Sequence, residues 1–150
     1  MRVHLQRVNH ACVVVKGETV GKIKRGLLLL VGFGVEDTEE GLQPMAHKIA
    51  HLRVFPDERG RFHFSVKDVQ GGVLLVPQFT LFADMKRGRR PDFISALEPA
   101  KASPFFDQFV ELFREIPEIS QVATGIFGAD MKVSLENDGP VTLLLESNAI

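Results

Sequence analysis

Apolar and polar positions alternate through Val3, Leu5 and Arg7 and resume at Val13 to Val15. After a turn at Lys16-Gly17-Glu18 they return through Val20 to Ile23, which predicts a pair of strands. Leu27 to Phe33 is almost wholly apolar and reads as a buried strand. From Asp37 to Arg53 the period changes: Leu42, Met45, Ile49 and Leu52 are spaced three, four and three apart, which predicts an amphipathic helix that Asp37 or Thr38 could cap. Pro44 falls in its first turns, so this helix starts late or bends there. Beyond the turn-forming Pro56-Asp57-Glu58-Arg59-Gly60, the alternation of Phe62, Phe64 and Val66 predicts a half-buried strand, and Val73 to Leu81 the next. Ser103 before Pro104 signals the start of a second helix, whose apolar face runs from Phe105 to Ile116 and which ends near Pro117. Strand-like segments at Gln121 to Thr124, Met131 to Glu136 and Val141 to Glu146 follow. The order strands, helix, strands, helix, strands predicts an α/β (mixed α+β) fold, one domain over residues 1–150, with the helices on one side of the sheet.

Composition narrows the class. A chain of 150 residues with 45% hydrophobic and 25% charged content is an ordinary globular domain, neither disordered nor collagen-like. The one cysteine, Cys12, cannot form an internal disulfide, and no basic start precedes a long apolar segment, so a reducing cytoplasmic location is expected. The longest apolar run, Leu27 to Val31, is far short of the roughly 20 residues of a membrane helix. A net charge of −1 argues against general polyanion binding, yet four of the five residues from Lys86 to Arg90 are basic, a cluster able to hold a few phosphates. A short basic run is more commonly a solvated loop; its place after Gln78-Phe79-Thr80 favours a role. All 12 aromatic residues are Phe. Core filling accounts for Phe62, Phe64 and the helical Phe residues.

Two segments have the character of sites built from backbone. Pro77-Gln78-Phe79-Thr80-Leu81 follows the apolar run Val73 to Val76, at the end of a buried strand where amides and side chains can be presented. Asn137-Asp138-Gly139-Pro140-Val141-Thr142 places a Gly before a Pro inside strand-like sequence, where the ladder loses a donor and a cis peptide is possible. Gly-Pro alone is more often a plain turn. His47 and His51 lie four apart on the first helix, but two His without a third ligand make a poor metal site, and no metal site is assigned. Cys12 reads as a buried, inert thiol. Gly32-Phe33-Gly34 is too short to count as a nucleotide-binding glycine pattern.

These motifs, with Leu5-Gln6-Arg7-Val8, Leu52-Arg53-Val54-Phe55, Lys86-Arg87-Gly88-Arg89-Arg90-Pro91 and Thr124-Gly125-Ile126-Phe127-Gly128-Ala129, occur in the order of the D-aminoacyl-tRNA deacylase (D-tyrosyl-tRNA deacylase) family, which the chain resembles nearly end to end. The resemblance implies a layered β/β/α, barrel-like homodimer with the active site at the subunit interface, acting on the acceptor end of aminoacyl-tRNA without a cofactor and away from membranes. It implies hydrolysis of D-aminoacyl esters, and of mischarged glycyl esters, at a pocket formed by Gln78, Phe79 and Thr80, with the backbone of Phe79 contributing. Hydrolysing an activated ester asks for a positioned water and oxyanion stabilisation, work that backbone amides can do. Thr80 as a nucleophile would need an adjacent base, and no motif supplies one. The resemblance further implies that Gly139-Pro140 is cis, enters the other subunit's pocket and excludes L-amino acids, with Arg7 holding its orientation. Lys86, Arg87, Arg89 and Arg90 are the expected phosphate contacts. Two departures stand out. Pro77 replaces the usual Ser and resembles an animal-type paralogue that removes mischarged L-alanine, which leaves L-alanyl esters open as an alternative substrate. Asp92 also replaces a usual Ser, placing a negative charge beside the basic cluster. A noncatalytic tRNA-binding module is the alternative from another class.

Overall fold

The computed structural model describes residues 1–86 and 88–147. Strand β1 (Arg2–Val15) is the organising element, because both of its edges are used along nearly its whole length. Its last residues pair with β2 (Glu18–Ile23) across the Lys16-Gly17 turn, and its first seven pair with β3 (Gly26–Gly32). The register is continuous from Val13 opposite Gly21 to Arg2 opposite Gly32, so β2 and β3 are two halves of one long arm interrupted at Lys24-Arg25. The other edge of β1 carries the C-terminal strand, which pairs from Val14 opposite Lys132 to Arg2 opposite Glu146.

On the far side of β3 the chain switches to parallel pairing. After helix α1 (Leu42–His51) and a short antiparallel pair, β4 (Phe55–Pro56) with β5 (Phe62–Phe64), strand β6 (Gly72–Pro77) lies parallel to β3. Helix α2 (Pro99–Arg114) then leads to β7 (Gln121–Thr124), parallel to β6, and finally to β8 (Lys132–Glu146). Because β2 returns against β7, the six-stranded sheet curls into a nearly closed barrel, with both helices on one outer face. This is the expected mixed α+β architecture. No helix among the described residues is long and apolar enough to cross a membrane.

Two apolar clusters hold these layers together. Leu27, Leu29 and Val31 of β3 with Val73 and Leu75 of β6 face the helices, meeting Met45 and Ile49 of α1 and Phe106, Phe109 and Phe113 of α2. Leu28, Leu74 and Val76 face inward and meet Val8, Ala11, Val13 and Ile23. Strands covered on both faces read as unbroken apolar runs, which is why Leu27 to Val31 and Val73 to Val76 show no alternation. Each fully buried Leu or Phe contributes about 1.5 to 3 kcal/mol. In β1 the buried set changes face midway: Val3 and Leu5 belong to the helix-facing cluster, Ala11 and Val13 to the interior. Register shifts between Gln6 and His10 produce that exchange.

Several boundaries differ from the sequence reading. The first helix begins at Leu42 after a 3-10 turn over Glu39–Gly41, so Pro44 sits in its first turn and needs no amide partner; Thr38 and Gly41 make no side-chain cap bond. The second helix starts at Pro99, four residues ahead of Ser103, because Pro99 itself occupies the first turn and Pro104 is tolerated inside. The strand expected to reach Leu81 stops at Pro77. Phe62 and Phe64 are exposed rather than core, since β5 pairs only with the two-residue β4. Cys12 is half-buried.

Strands β3 and β6 approach tightly at the start of their parallel pair. A Cβ added to Gly26 would lie 1.9 Å from the carbonyl oxygen of Gly72, its partner across the parallel pair. Backbone on both sides leaves nothing to give way. We expect Gly26→Ala to lower the unfolding free energy by at least about 2 kcal/mol, read as a lower urea midpoint at unchanged slope; an unshifted midpoint would mean the strands separate freely at this point.

Candidate functional site

The end of β6 forms a projecting turn. Gln78 (φ −146°, ψ 77°) leaves the strand, and Phe79–Phe82 winds into a 3-10 turn. The Gln78 amide still donates to the Val31 carbonyl at 2.7 Å, and the Leu81 amide closes back on the Gln78 carbonyl at 3.3 Å. The amides of Phe79 and Thr80, first in the turn, have no acceptor among the described residues. Both residues are exposed, Phe79 to 56%. The side-chain amide of Gln78 donates to Thr80 Oγ1. Thr80 therefore has a donor as its side-chain partner where a nucleophile would need a base.

Pro77 fits because of strand parity. The Leu75 carbonyl accepts from the Gly125 amide at 2.8 Å, so odd positions of β6 face β7, and β7 ends at Thr124 before Pro77 would need a partner. The segment after β7 packs at the same place: a Cβ on Gly125 would lie 3.5 Å from Pro77 Cδ.

Residues to which the sequence assigned no role set the height of this turn. A Cβ on Gly32 would stand 2.7 Å from the Gln78 carbonyl oxygen, and one on Gly34 would run into the Phe82 ring. Gly32-Phe33-Gly34 is thus the bed on which the turn lies, and glycines at the end of a buried strand are the signal that could have found it. Arg2 braces the far side, donating from Nη1 to the Leu81 carbonyl and from Nε to Glu146 Oε1, each at 2.8 Å, with its guanidinium 4.7 Å from the centre of the Phe82 ring.

The Gly139-Pro140 segment occupies a separate place. Along β8 the pairing jumps from Val8 opposite Asn137 to Gln6 opposite Thr142, so Asp138 to Val141 bulge out opposite Arg7. The Gly139-Pro140 peptide is cis, and both residues are exposed. Val141, 2% exposed, anchors the bulge in the core. Asn137 Nδ2 ties its neck, donating to the carbonyls of Arg7 at 3.1 Å and Val141 at 3.0 Å. Arg7 is buried; its Nε reaches the Asp138 carbonyl at 3.0 Å and Asp138 Oδ2 at 2.9 Å, and Nη1 donates to the Val54 carbonyl. Arg7 thus contacts this segment at Asp138, one residue ahead of Gly139.

Within one chain the two segments do not meet. Arg7 lies opposite Leu27, whereas the 78–82 turn lies against Val31 and Gly32. At about 3.3 Å per residue that separates them by about 15 Å along the sheet, and β8 lies a further strand away across β1.

Of the basic cluster, Lys86, Arg89 and Arg90 are exposed, and no ion pair among the described residues involves them. Arg87 lies outside the described residues. The loop that carries them is fastened at its base, where Asp84 and Asp92 exchange backbone bonds of 2.8 and 2.9 Å. His47 and His51 are exposed on α1, with ring centroids 4.1 Å apart and His51 Nδ1 on the His47 carbonyl.

Residues 4–146 match the family model described as D-Tyr-tRNA(Tyr) deacylase. Curated proteins named D-aminoacyl-tRNA deacylase are similar over the full length: 49% identical in Thermosipho melanesiensis and 51% in Thermotoga petrophila, each covering 100% of this chain and 99% of the relative. A Clostridium perfringens protein of that name is 52% identical over 98% of this chain and 97% of its own. Among solved structures, one titled c-Myc DNA Unwinding Element Binding Protein superposes with a TM-score of 0.90 at 42% identity, covering 97% of this chain and 98% of that one. A second, titled as a probable eukaryotic D-amino acid tRNA deacylase, superposes at 0.83 over 96% of this chain and 97% of its own with 20% identity, a likeness of fold. With the family model and the full-length relatives in agreement, the chain belongs to the D-Tyr-tRNA(Tyr) deacylase family of hydrolases.

Proposed function

We propose that the protein hydrolyses the ester of D-aminoacyl-tRNA, and of glycyl-tRNA misattached to a non-glycine tRNA, at the Gln78-Phe79-Thr80 turn. The observation that carries this reading is the pair of unoccupied amides on Phe79 and Thr80. Two N–H groups fixed by a turn packed on Gly32 can receive the carbonyl oxygen of an ester and the negative charge that grows on it during attack, with no reorganisation at the moment of reaction. Water attacks the carbonyl carbon, the bond to the ribose oxygen breaks, and the proton from water ends on that oxygen, releasing free amino acid and tRNA. The ribose 2′-hydroxyl is the helper available on the substrate. Gln78 and Thr80 position it and the water, and the scheme uses no cofactor.

The exposed Gly139-Pro140 bulge supplies the selectivity in this reading. One copy holds its bulge more than about 15 Å from its own turn, so a single site containing both needs two chains, each lending its bulge to the other. Exposed Leu135, Leu143 and Leu144 on β8 provide apolar surface for such a homodimer. The carbonyls of a bulge held by Arg7 and Asn137 would test the configuration at the α-carbon and leave the side chain unread, so D-residues of many kinds and glycine enter and L-residues do not. Lys86, Arg87, Arg89 and Arg90 contact phosphates near the acceptor end, and the protein acts in the cytoplasm.

Single-turnover hydrolysis of D-alanyl-, glycyl- and L-alanyl-tRNA tests the filter: the first two esters are expected to disappear at least about 100-fold faster than the third, a difference of about 2.7 kcal/mol in barrier. Comparable loss of the L-alanyl ester would assign Pro77 an opened filter, and intact tRNA affinity without hydrolysis would support a binding module. Thr80→Ala is expected to keep activity within about tenfold, as for a positioning group; loss of a factor of 10⁴ or so would make Thr80 the nucleophile. For Arg7→Ala, which leaves the Val54 and Asp138 carbonyls without their donor, we expect about 2 kcal/mol of lost stability and, in the folded fraction, a D-to-L rate ratio reduced at least about tenfold. Lost stability with an unchanged ratio would confine Arg7 to folding.

A further inference from the structure

Beside the proposed ester site lies an aromatic pair that hydrolysis does not use. Phe79 projects from the 3-10 turn, and Phe93, on the returning arm of the 84–92 loop, meets it edge to face, with ring centroids 4.9 Å apart and an interplanar angle of 67°. A core would normally bury such a pair; here Phe79 is 56% exposed and Phe93 half-buried. The arm is held firmly. Besides the Asp84 and Asp92 bridge, Asp92 Oδ1 accepts from the Ile94 amide at 3.0 Å, the Val35 amide donates to the Ser95 carbonyl at 3.1 Å, and the Leu97 amide donates to the Phe33 carbonyl at 2.9 Å. Phe93 is therefore anchored on both sides and set against Phe79, with Arg89 and Arg90 exposed on the same loop.

We propose that Phe93, backed by Phe79, is a stacking platform for an unpaired base of the tRNA 3′ end, upstream of the terminal nucleotide that bears the ester. Aromatic faces with cations beside them form the combination by which proteins hold single-stranded nucleic acid, the ring taking the base and the guanidinium the phosphate. A double helix keeps its base faces stacked internally and has no use for an exposed ring, so the chemistry selects the unpaired end over the acceptor stem. The occupant follows from charge: an exposed aromatic pair on a loop that also carries exposed Arg89 and Arg90 suits a polyanion with exposed bases. This inference rests on the reading that the protein acts on aminoacyl-tRNA and adds to it the point where the single strand is gripped.

The chain has no Trp and no Tyr, so Phe93→Trp would carry its only indole. Titration of that variant with the single-stranded RNA 5′-ACCA should quench the indole, with an affinity that falls as salt rises. A blunt RNA hairpin of equal phosphate count should quench it far less, and Arg89→Ala in the same background should weaken the titration about tenfold. Equal quenching by the hairpin, or none by 5′-ACCA at saturation, would overturn the platform. Should Phe93→Trp not fold, Phe93→Leu supplies the test: KM for D-alanyl-tRNA is expected to rise about tenfold with kcat within about twofold, whereas a fall confined to kcat would reduce Phe93 to a prop for the turn and refute stacking. The two readings fail separately. Quenching without ester hydrolysis would retain the platform and remove the deacylase, and hydrolysis without quenching would do the reverse.

Discussion

Strand β1 has no free edge, and that constraint shapes everything else in this molecule. With β2 and β3 sharing one side and β8 the other, its amides are committed along almost its full length. An irregular segment beside it can exist only where pairing is released and something else satisfies the backbone. At Arg7 the side chain does so, reaching over to bond the Asp138 carbonyl, while Asn137 bonds back to the carbonyls of Arg7 and Val141. The bulge is thus a replacement of ladder bonds by side-chain bonds, and its position is tied to that one arginine. A buried guanidinium satisfied by two carbonyls and a carboxylate has little freedom to move, so the exposed Gly139 and Pro140 are carried on a rigid base.

The second segment is governed by the opposite device, the end of a strand. Parallel strands β3 and β6 deliver Val31 and Pro77 side by side, and immediately past them the chain turns over glycine. Gly32 lets the Gln78 carbonyl come close, Gly34 makes room for Phe82, and Arg2 fastens Leu81 from the opposite side. The two devices lie at different levels of the same sheet, which is why they do not meet within one chain.

The apolar runs, the change of period at Asp37 and the phenylalanine face of the second helix were all legible, because burial writes itself into spacing. The family motifs also pointed to Gln78 to Thr80, Gly139-Pro140 and Arg7, whose roles belong to the proposed function. Other features stayed hidden for physical reasons. Phe62 and Phe64 alternate like a core strand, yet alternation records only two unlike faces, and here the strand's partner is too short to cover the apolar one. The end of β6 at Pro77 was masked by continuing apolar sequence, since Phe79, Leu81 and Phe82 suit a 3-10 turn packed on glycine as well as they suit a strand. Gly32-Phe33-Gly34 is too short to count as a nucleotide-binding pattern, and the sequence assigned it no role; its role is steric and depends on a chain segment more than forty residues away.

The proposed main-chain chemistry would make a site hard to read by residue type. An amide donor is present at almost every position of every protein, so its use leaves no signature beyond the geometry that frees it and aims it. Here freedom comes from starting a 3-10 turn at Phe79, and aim comes from packing that turn on Gly32. Thr80 adds a hydroxyl oxygen already engaged by the Gln78 amide. With a donor where a general base would have to sit, nucleophilic attack by Thr80 would need the Gln78 contact broken and a proton acceptor brought in. In the proposed scheme, attack by water on a carbonyl polarised by two amides leaves the Gln78 contact in place and passes the water proton to the ribose oxygens of the substrate, and on those terms the turn suits an ester, already activated, better than an amide bond with its poorer leaving group.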